Sequence, residues 1–294
     1  MYHKLPLPLK FKIYKHTMFK LAFSILLFVS SICYSQTIVT VPTTAGGAVD
    51  LLARKFTKFV EIKTGKSFLV ENLGGAGGNI GVEKFLKSKP NSLLLTSSSW
   101  YLSINSGKFN VEDFKPITIL AEAPFFLAVN KTQNLTCEKL KASGNQYFLG
   151  SATLSHTEVI AKMISDKYPN IENVSYKAIK PATMDLLGNH INAVIIGSTT
   201  DILDPLSVIA NSTDRQINGV PTFNDCLGIN KPVAMDFILI TNTNSDKKFI
   251  EDIEFLVADF LKDKDIQEYY RENMMYNSSK KINPQLKRWK EISR

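Results

Sequence analysis

The sequence predicts an α/β protein with two successive α/β series, an order that permits two lobes. Three observations carry this. Two strand–glycine loop–helix units follow one another between Ile38 and Gly81, and a second α/β series runs from Tyr147 to Ile196. Between and after them lie apolar runs, Ile117 to Asn130 and Phe237 to Ile240, suited to carry the chain from one lobe to the other and back. Ligands of open α/β sheets sit at the carboxyl ends of the strands, so the loops after those strands are the places to look for a site.

The elements follow in order. Ile38 to Val41 is a short β-branched apolar run that reads as a buried strand, ended by Pro42, which has no backbone donor. Leu52, Phe56, Phe59 and Val60 then recur at helical spacing, and Gly65 closes the helix. Phe68 to Val70 is the second strand, Gly74 to Gly78 its loop, and Ile80 and Phe85 mark the next helix. Leu93 to Thr96 is the third strand, with Ser97, Ser98, Ser99, Trp100 and Tyr101 opening its loop. Ile117 to Asn130 reads as a strand pair or as one strand entering the second lobe. There, Tyr147 to Leu149 is a strand, Ser151 to Ser155 a polar loop, and Ser155 with Glu158 a capping box before Val159, Ile160 and Met163. Val174 to Tyr176 and Ile191 to Ile196 are strands, separated by a helix with Pro181 at its start and Gly188 at its end. Phe237 to Ile240 returns the chain, Phe249, Ile253, Leu256 and Phe260 share a helix face, and a final helix surrounds Leu286 and Trp289.

The chain has 294 residues, 44% hydrophobic and 21% charged, a balance that supplies a packed core. Its first 35 residues differ from the rest: five lysines precede an apolar stretch, Leu21 to Ser30, and Cys33 and Ser35 stand at the −3 and −1 positions of a cleavage site. This reads as a secretory signal peptide cut after Ser35, with Met1 or Met18 as initiator, and the apolar run is too short for a permanent span. The leader holds five of the 35 Lys+Arg and none of the 27 Asp+Glu, so the net charge of +8 becomes +3 without it. Mixed-sign runs such as Lys262-Asp263-Lys264-Asp265 are solvated helix faces, and no nucleic-acid partner is expected. Cys137 and Cys226 remain in an oxidising compartment where a disulfide is open to them, but they show no metal or redox spacing and are expected as two unpaired, partly buried thiols.

The glycine loops are the leading site candidates. A helix start reached through glycines offers backbone N–H groups to an anion without any charged side chain. The first loop contributes Thr43, Thr44, Ala45, Gly46, Gly47 and Asp50, the second Gly75, Ala76 and Gly77, with Asn72 at the strand end able to donate through its amide. Each loop taken alone reads equally well as a tight turn; their pairing favours a site. Asp50 competes with an anion for the helix dipole and is expected to accept backbone or hydroxyl donors, hold a water or meet a ligand hydroxyl or amine, while Glu71 reads as a structural or surface acid. Across the cleft, Ser151, Thr153, Ser155 and His156 form the counterpart, joined by Ser97, Ser98, Tyr176 and Ser198 at strand ends. G-x-G-x-x-G fails because Ile80 takes the third glycine position, and Val60 stands where a Walker loop needs its first glycine, so no cofactor is expected. No G-x-S-x-G, H-E-x-x-H or Cys–His constellation occurs, so neither catalysis nor a metal is expected.

The same residues resemble a known family. Pro42, Thr43, Gly46, Gly47, Asp50, Ala53 and Arg54 follow the opening of the Bug proteins, the substrate-binding proteins of tripartite tricarboxylate transporters. Glu71, Asn72, Gly75, Ala76, Gly77, Gly78, Ile80 and Gly81 match the family's E-N-x-x-G-A-G-G-x-I-G without a break. The resemblance continues through Asp113 to Ile117, Ser175 to Lys177, Asp185 to Gly188, Val220 to Thr222 and Arg288-Trp289. It implies the type II periplasmic-binding-protein fold, with lobe 1 over 36–129, lobe 2 over 130–235 and a return to lobe 1 over 236–294, hinged at the two crossings. It implies a periplasmic, monomeric, non-enzymatic protein that captures a small carboxylate for membrane permease subunits. A sensor that docks on a membrane kinase shares fold and pocket and stays open as an alternative, and a hydrolase is opposed by the missing nucleophile and base. Departures from the family pattern, at Thr43 to Ala45, Asn91-Ser92, Ala178 and Gly197, bear on ligand choice and affinity rather than on the fold.

Overall fold

The computed structural model describes residues 36–98, 109–153, 155–198 and 206–278. The expected leader, the Ser99 to Tyr101 part of the third loop and the final helix around Leu286 and Trp289 lie outside these residues. Strands β1 (Thr37–Val41), β2 (Phe68–Asn72) and β3 (Leu93–Ser97) run parallel, with α1 (Ala48–Thr64) and α2 (Asn79–Leu86) as the crossovers. Helix α1 forms where it was expected because Leu52, Ala53, Phe56 and Val60 fall on one face and are fully buried. Gly65 ends it in the left-handed region, φ 67°, donating its N–H to Glu61 O at 2.8 Å.

The apolar run after the third strand is one strand, β4 (Phe114–Asn130), 17 residues long. Its first part pairs antiparallel with β9 (Ala234–Asn242), from Phe114↔Asn242 to Pro124↔Ala234. Its second part pairs with β7 (Ala193–Gly197) and β8 (Leu206–Asn211). Beyond β7 lie β5 (Tyr147–Ala152) and β6 (Ile171–Tyr176), parallel to it and to one another. Among the described residues the nine strands form one sheet, in the order β2-β1-β3-β9-β4-β7-β5-β6, with β8 also on β4. Helices α3 (Cys137–Lys141), α4 (His156–Lys167), α5 (Ile179–Leu187), α6 (Phe223–Leu227), α7 (Lys247–Phe260) and α8 (Lys264–Glu272) complete the chain.

Each half of the sheet is covered on both faces, so its central strands carry continuous apolar runs, Phe237–Ile240 and Phe125–Val129, rather than an alternation. In β9, Phe237 and Leu239 enter one core with α1 and α7, while Ile238 and Ile240 enter another with Val82 and Phe85 of α2. In β4, Phe125, Leu127 and Val129 face a third core and Phe126 and Ala128 a fourth. Phe260 of α7 holds α1 through edge-on contacts to Phe56 and Phe59, ring centroids 5.4 and 5.5 Å apart.

Several expectations change. β5 extends through Ala152, so Ser151 lies in the strand and not in the loop. The strands β6 and β9 are longer than their apolar runs because residues outside those runs, Ile171–Asn173 and Asp236 for example, are paired in the ladder all the same. Pro181 occupies the first turn of α5, where its absent N–H has no partner to lose. β8, α3 and α6 were not foreseen: six-residue and five-residue elements carry too short a pattern to register.

The cysteines are corrected outright. Cys137 and Cys226 form a disulfide, with Cα atoms 5.3 Å apart. They are 89 residues apart in sequence, and only the packing of α3 against α6 brings them together. We expect the double replacement Cys137→Ser and Cys226→Ser to lower the unfolding free energy by about 2–4 kcal/mol, read by urea denaturation. An unchanged midpoint would assign the link no stabilising role.

Candidate functional site

Register alone makes the two sets of strand ends meet. Ser97, the last residue of β3, pairs with Phe237, which pairs in turn with Ala121 of β4. Gly197, the last residue of β7, pairs with Phe125 of β4. The two parallel sets therefore run toward each other and end four residues apart along β4, about 13 Å at the usual strand rise. Two cavities, of about 240 and 480 Å³, lie elsewhere, along the 212–232 segment and beside Tyr276, and neither is lined by a glycine-loop residue.

On the first side the two glycine loops lie against each other. A Cβ on Gly74 would stand 3.1 Å from Thr44 N, one on Gly78 3.0 Å from Pro42 O, and one on Gly81 2.9 Å from Pro42 Cα. These glycines serve close backbone packing. Gly46 and Gly77 differ: nothing lies within 4 Å of a Cβ at either, although both have positive φ, 85° and 67°. Gly78 N–H donates to Gly75 O at 2.9 Å, closing a tight turn whose central residues Ala76 (φ 49°) and Gly77 are both left-handed. That conformation suits glycine and costs an alanine about 1–2 kcal/mol, so the strain at the exposed Ala76 is held by the turn that Gly75 and Gly78 close around it. Neither α1 nor α2 has a side-chain cap at its start, where Gly47 and Gly78 stand.

Asp50 is 2% exposed. It accepts the Gly46 N–H at 2.8 Å and the Arg54 Nε–H, which lies 3.1 Å from Oδ2 and 3.0 Å from Oδ1. Burial alone would raise its pKa; the Gly46 N–H, Arg54 and Asn72 outweigh burial and hold it below the usual carboxylate value. Asn72 accepts from Arg54 Nη2 at 3.0 Å and turns its amide toward Thr43 O at 3.5 Å. Glu71 forms a surface ion pair with Lys84. Thr44 and Ala45 are exposed, and Thr43 Oγ1 is buried without a hydrogen-bond partner among the described residues.

On the second side several candidates are committed to their own scaffold. Ser151 Oγ donates to Asn173 Oδ1 at 2.8 Å, and Tyr176 OH to Asp185 Oδ2 at 2.7 Å. Burial and then Asp185 push the Tyr176 phenol up to about 12. Ser155 caps α4 by accepting the Thr157 N–H at 3.2 Å and donates to Ala152 O at 2.7 Å. Glu158 accepts from Ser175 Oγ at 3.1 Å. Thr153 fixes the loop through its N–H to Tyr176 O, 2.8 Å, and is itself exposed. Ser198 is buried, and its Oγ finds no partner among the described residues.

Ser98 and His156 bring the sides together. Ser98 exchanges bonds with Asp236 of β9, its N–H to Asp236 O at 2.8 Å and the Asp236 N–H to its Oγ at 3.1 Å. The same Oγ lies 3.3 Å from Nε2 of His156, the first residue of α4. His156 stacks on Phe125 of β4, centroids 5.6 Å apart, and is 3% exposed. Ser97 stays half-buried at the end of β3. Sequence reasoning noted Arg54 only within a motif and missed Asp236; the i, i+4 spacing of Asp50 and Arg54 was the available signal.

No protein-family model matches the chain. It is 28% identical over 233 residues to protein BugT of Bordetella pertussis, an alignment covering 71% of each chain. It is also 28% identical over 204 residues to a UPF0065 protein of Agrobacterium vitis, 64% of this chain and 59% of that one. The fold resembles a TctC solute-binding protein from Polaromonas (TM-score 0.72, 20% identity, 88% of this chain and 95% of that one). It resembles equally a Rhodopseudomonas palustris protein solved with adipate (0.73, 19%, 88% and 96%) and MatC of that organism with bound malate (0.68, 14%, 88% and 99%).

His156 generates a pH prediction. Burial pushes its pKa down from 6.5 to about 4. The unfolded chain therefore takes up a proton that the folded one refuses. The contribution is whole above the unfolded value and is lost as pH falls toward the folded one, by up to about 1.4 kcal/mol per pH unit. We expect His156→Gln to flatten the fall of unfolding free energy between about pH 6.5 and 4 in urea titrations; parallel slopes in variant and wild type would assign the loss to other groups.

Proposed function

We propose that the chain belongs to the Bug family, the substrate-binding proteins of tripartite tricarboxylate transporters, and that it captures a small organic carboxylate for membrane permease subunits. Its place of work in this reading is the periplasm, reached through the leader over residues 1–35, and it acts by binding and delivery rather than by catalysis. The observation that carries the proposal is the meeting of the two glycine loops at the ends of β1 and β2, in the same parallel set as β3, whose following residue Ser98 meets His156 at the start of α4. Relatives of the same fold solved with adipate and malate support the ligand class.

In this reading lobe 1 is 36–129 with 236–294, lobe 2 is 130–235, and the ligand lies between them. The Gly46 N–H is taken by Asp50, so the main-chain donors are those of Ala45, Gly47, Ala76 and Gly77. Open space beside Gly46 and Gly77 lets a carboxylate oxygen reach the backbone. Thr43, Ser97, Ser98 and Ser198 add hydroxyls, and His156, held neutral, adds a ring nitrogen without a charge. Thr44 and Thr153 border the cleft. Asp50, Asn72, Ser151, Ser155 and Tyr176 hold the loops in place through the bonds described above. The two crossings of β4 and β9 are where the lobes hinge on closure.

A thermal-shift panel of mono-, di- and tricarboxylates tests the class. A carboxylate at about 100 times its Kd should stabilise the fold by about 2.7 kcal/mol. Stabilisation by an amine or a sugar and by no organic acid would reject the proposal.

The glycines separate site from scaffold. Gly77→Val should strain the turn by about 1–2 kcal/mol and weaken carboxylate binding by more than tenfold. Gly78→Ala, pressed against Pro42 O, should chiefly destabilise the fold. Calorimetric titration beside thermal melts reads both; wild-type affinity in a folded Gly77→Val would move the second loop out of the site.

A further inference from the structure

Arg54 touches both glycine loops at one remove. It stands one helical turn past Asp50 on α1, its side chain 52% exposed. Nε serves Asp50, which carries the bond on to Gly46 of the first loop. Nη2 serves Asn72, 18 residues away at the end of β2, where the second loop begins. Asn72 returns to the first loop through Thr43 O. The result is a closed circuit: first loop, α1, end of β2, first loop.

An exposed i, i+4 ion pair is ordinary and contributes little. Charge neutralisation of Asp50 would need only an ammonium. This circuit needs more, because two acceptors on different elements are held at once by one planar guanidinium, whose donors stand in a fixed fork. The carboxylate end of the circuit is buried, so its geometry is set by the core and not by solvent. Arg54 also offsets a negative charge in the first turn of α1, where an anionic ligand would otherwise meet repulsion.

We infer that Arg54 is the positioning residue of the ligand site: it fixes the angle between the two glycine loops, so that their main-chain donors converge on one carboxylate, and does not itself bind the ligand. The inference rests on the reading of these loops as the site.

The test combines ligand titration with a readout that needs no ligand. In the purified protein, Arg54→Ala and Arg54→Lys should each speed amide exchange at least tenfold in both 43–47 and 74–78 together, with β5 and α4 unchanged. Each should weaken adipate or malate binding at least tenfold by calorimetry, and Arg54→Ala with Asn72→Ala should bind no worse than Arg54→Ala alone. Rescue of loop protection and affinity by Arg54→Lys would reduce the residue to a counter-charge and overturn the inference, as would wild-type exchange in the loops of Arg54→Ala. Should the wild type bind no carboxylate, the functional reading fails, and the exchange arm alone decides the matter: loops loosened together uphold the positioning role, loops unchanged overturn it. If Arg54→Ala does not fold, Arg54→Lys supplies the same comparison.

Discussion

Everything about this architecture depends on the pairing of β4 with β9. β4 is long enough to serve as the last strand of one half and the central strand of the other, and β9 locks the first part of it in register. Because β3 is antiparallel to β9 and β7 to β4, the two parallel sets are forced to point at a common level near Pro124 and Phe125. A one-residue slip would turn Phe237 and Leu239 out of their core, so the hydrophobic pattern enforces the level at which the loops meet. The geometry of the cleft is thus a consequence of core packing elsewhere.

That junction is polar where the cores are not. Ser98, just past β3, lies in one row with Asp236 of β9 and Glu122 of β4, all buried, and Glu122 continues the row by exchanging main-chain bonds with Tyr276. His156 joins this row from the second half through Ser98. Buried polar groups of this kind specify one arrangement because any shift leaves donors or acceptors unsatisfied. A row of them at the crossing strands sets the relation of α4 to β3 more sharply than apolar contact would.

The glycines divide by role in a way that composition hides. Gly74, Gly78 and Gly81 let two backbones touch, while Gly46 and Gly77 leave open space beside a left-handed backbone. The strained Ala76 between them is tolerated because Gly75 and Gly78 close the turn around it and Ile80 packs on Gly75. Asp50, Asn72 and Arg54 then bind these loops into one unit, using side chains whose types alone would suggest direct ligand contact.

The sequence by itself determined the α/β class, the order of the longer strands and helices, the two glycine loops and the crossing runs, because these rest on local periodicity and on backbone rules that act within a few residues. It also carried an unbroken E-N-x-x-G-A-G-G-x-I-G over Glu71 to Gly81, so the loops were legible as a candidate site. Only the tertiary structure decided which candidate side chains are committed to the scaffold, since Ser151, Tyr176 and Asn72 find their partners on other elements. The disulfide between Cys137 and Cys226, the burial of His156 against Phe125 and its contact with Ser98 were likewise beyond reach. Each joins residues tens of positions apart, and pairing at that range is fixed by how sheets and helices pack rather than by any pattern along the chain.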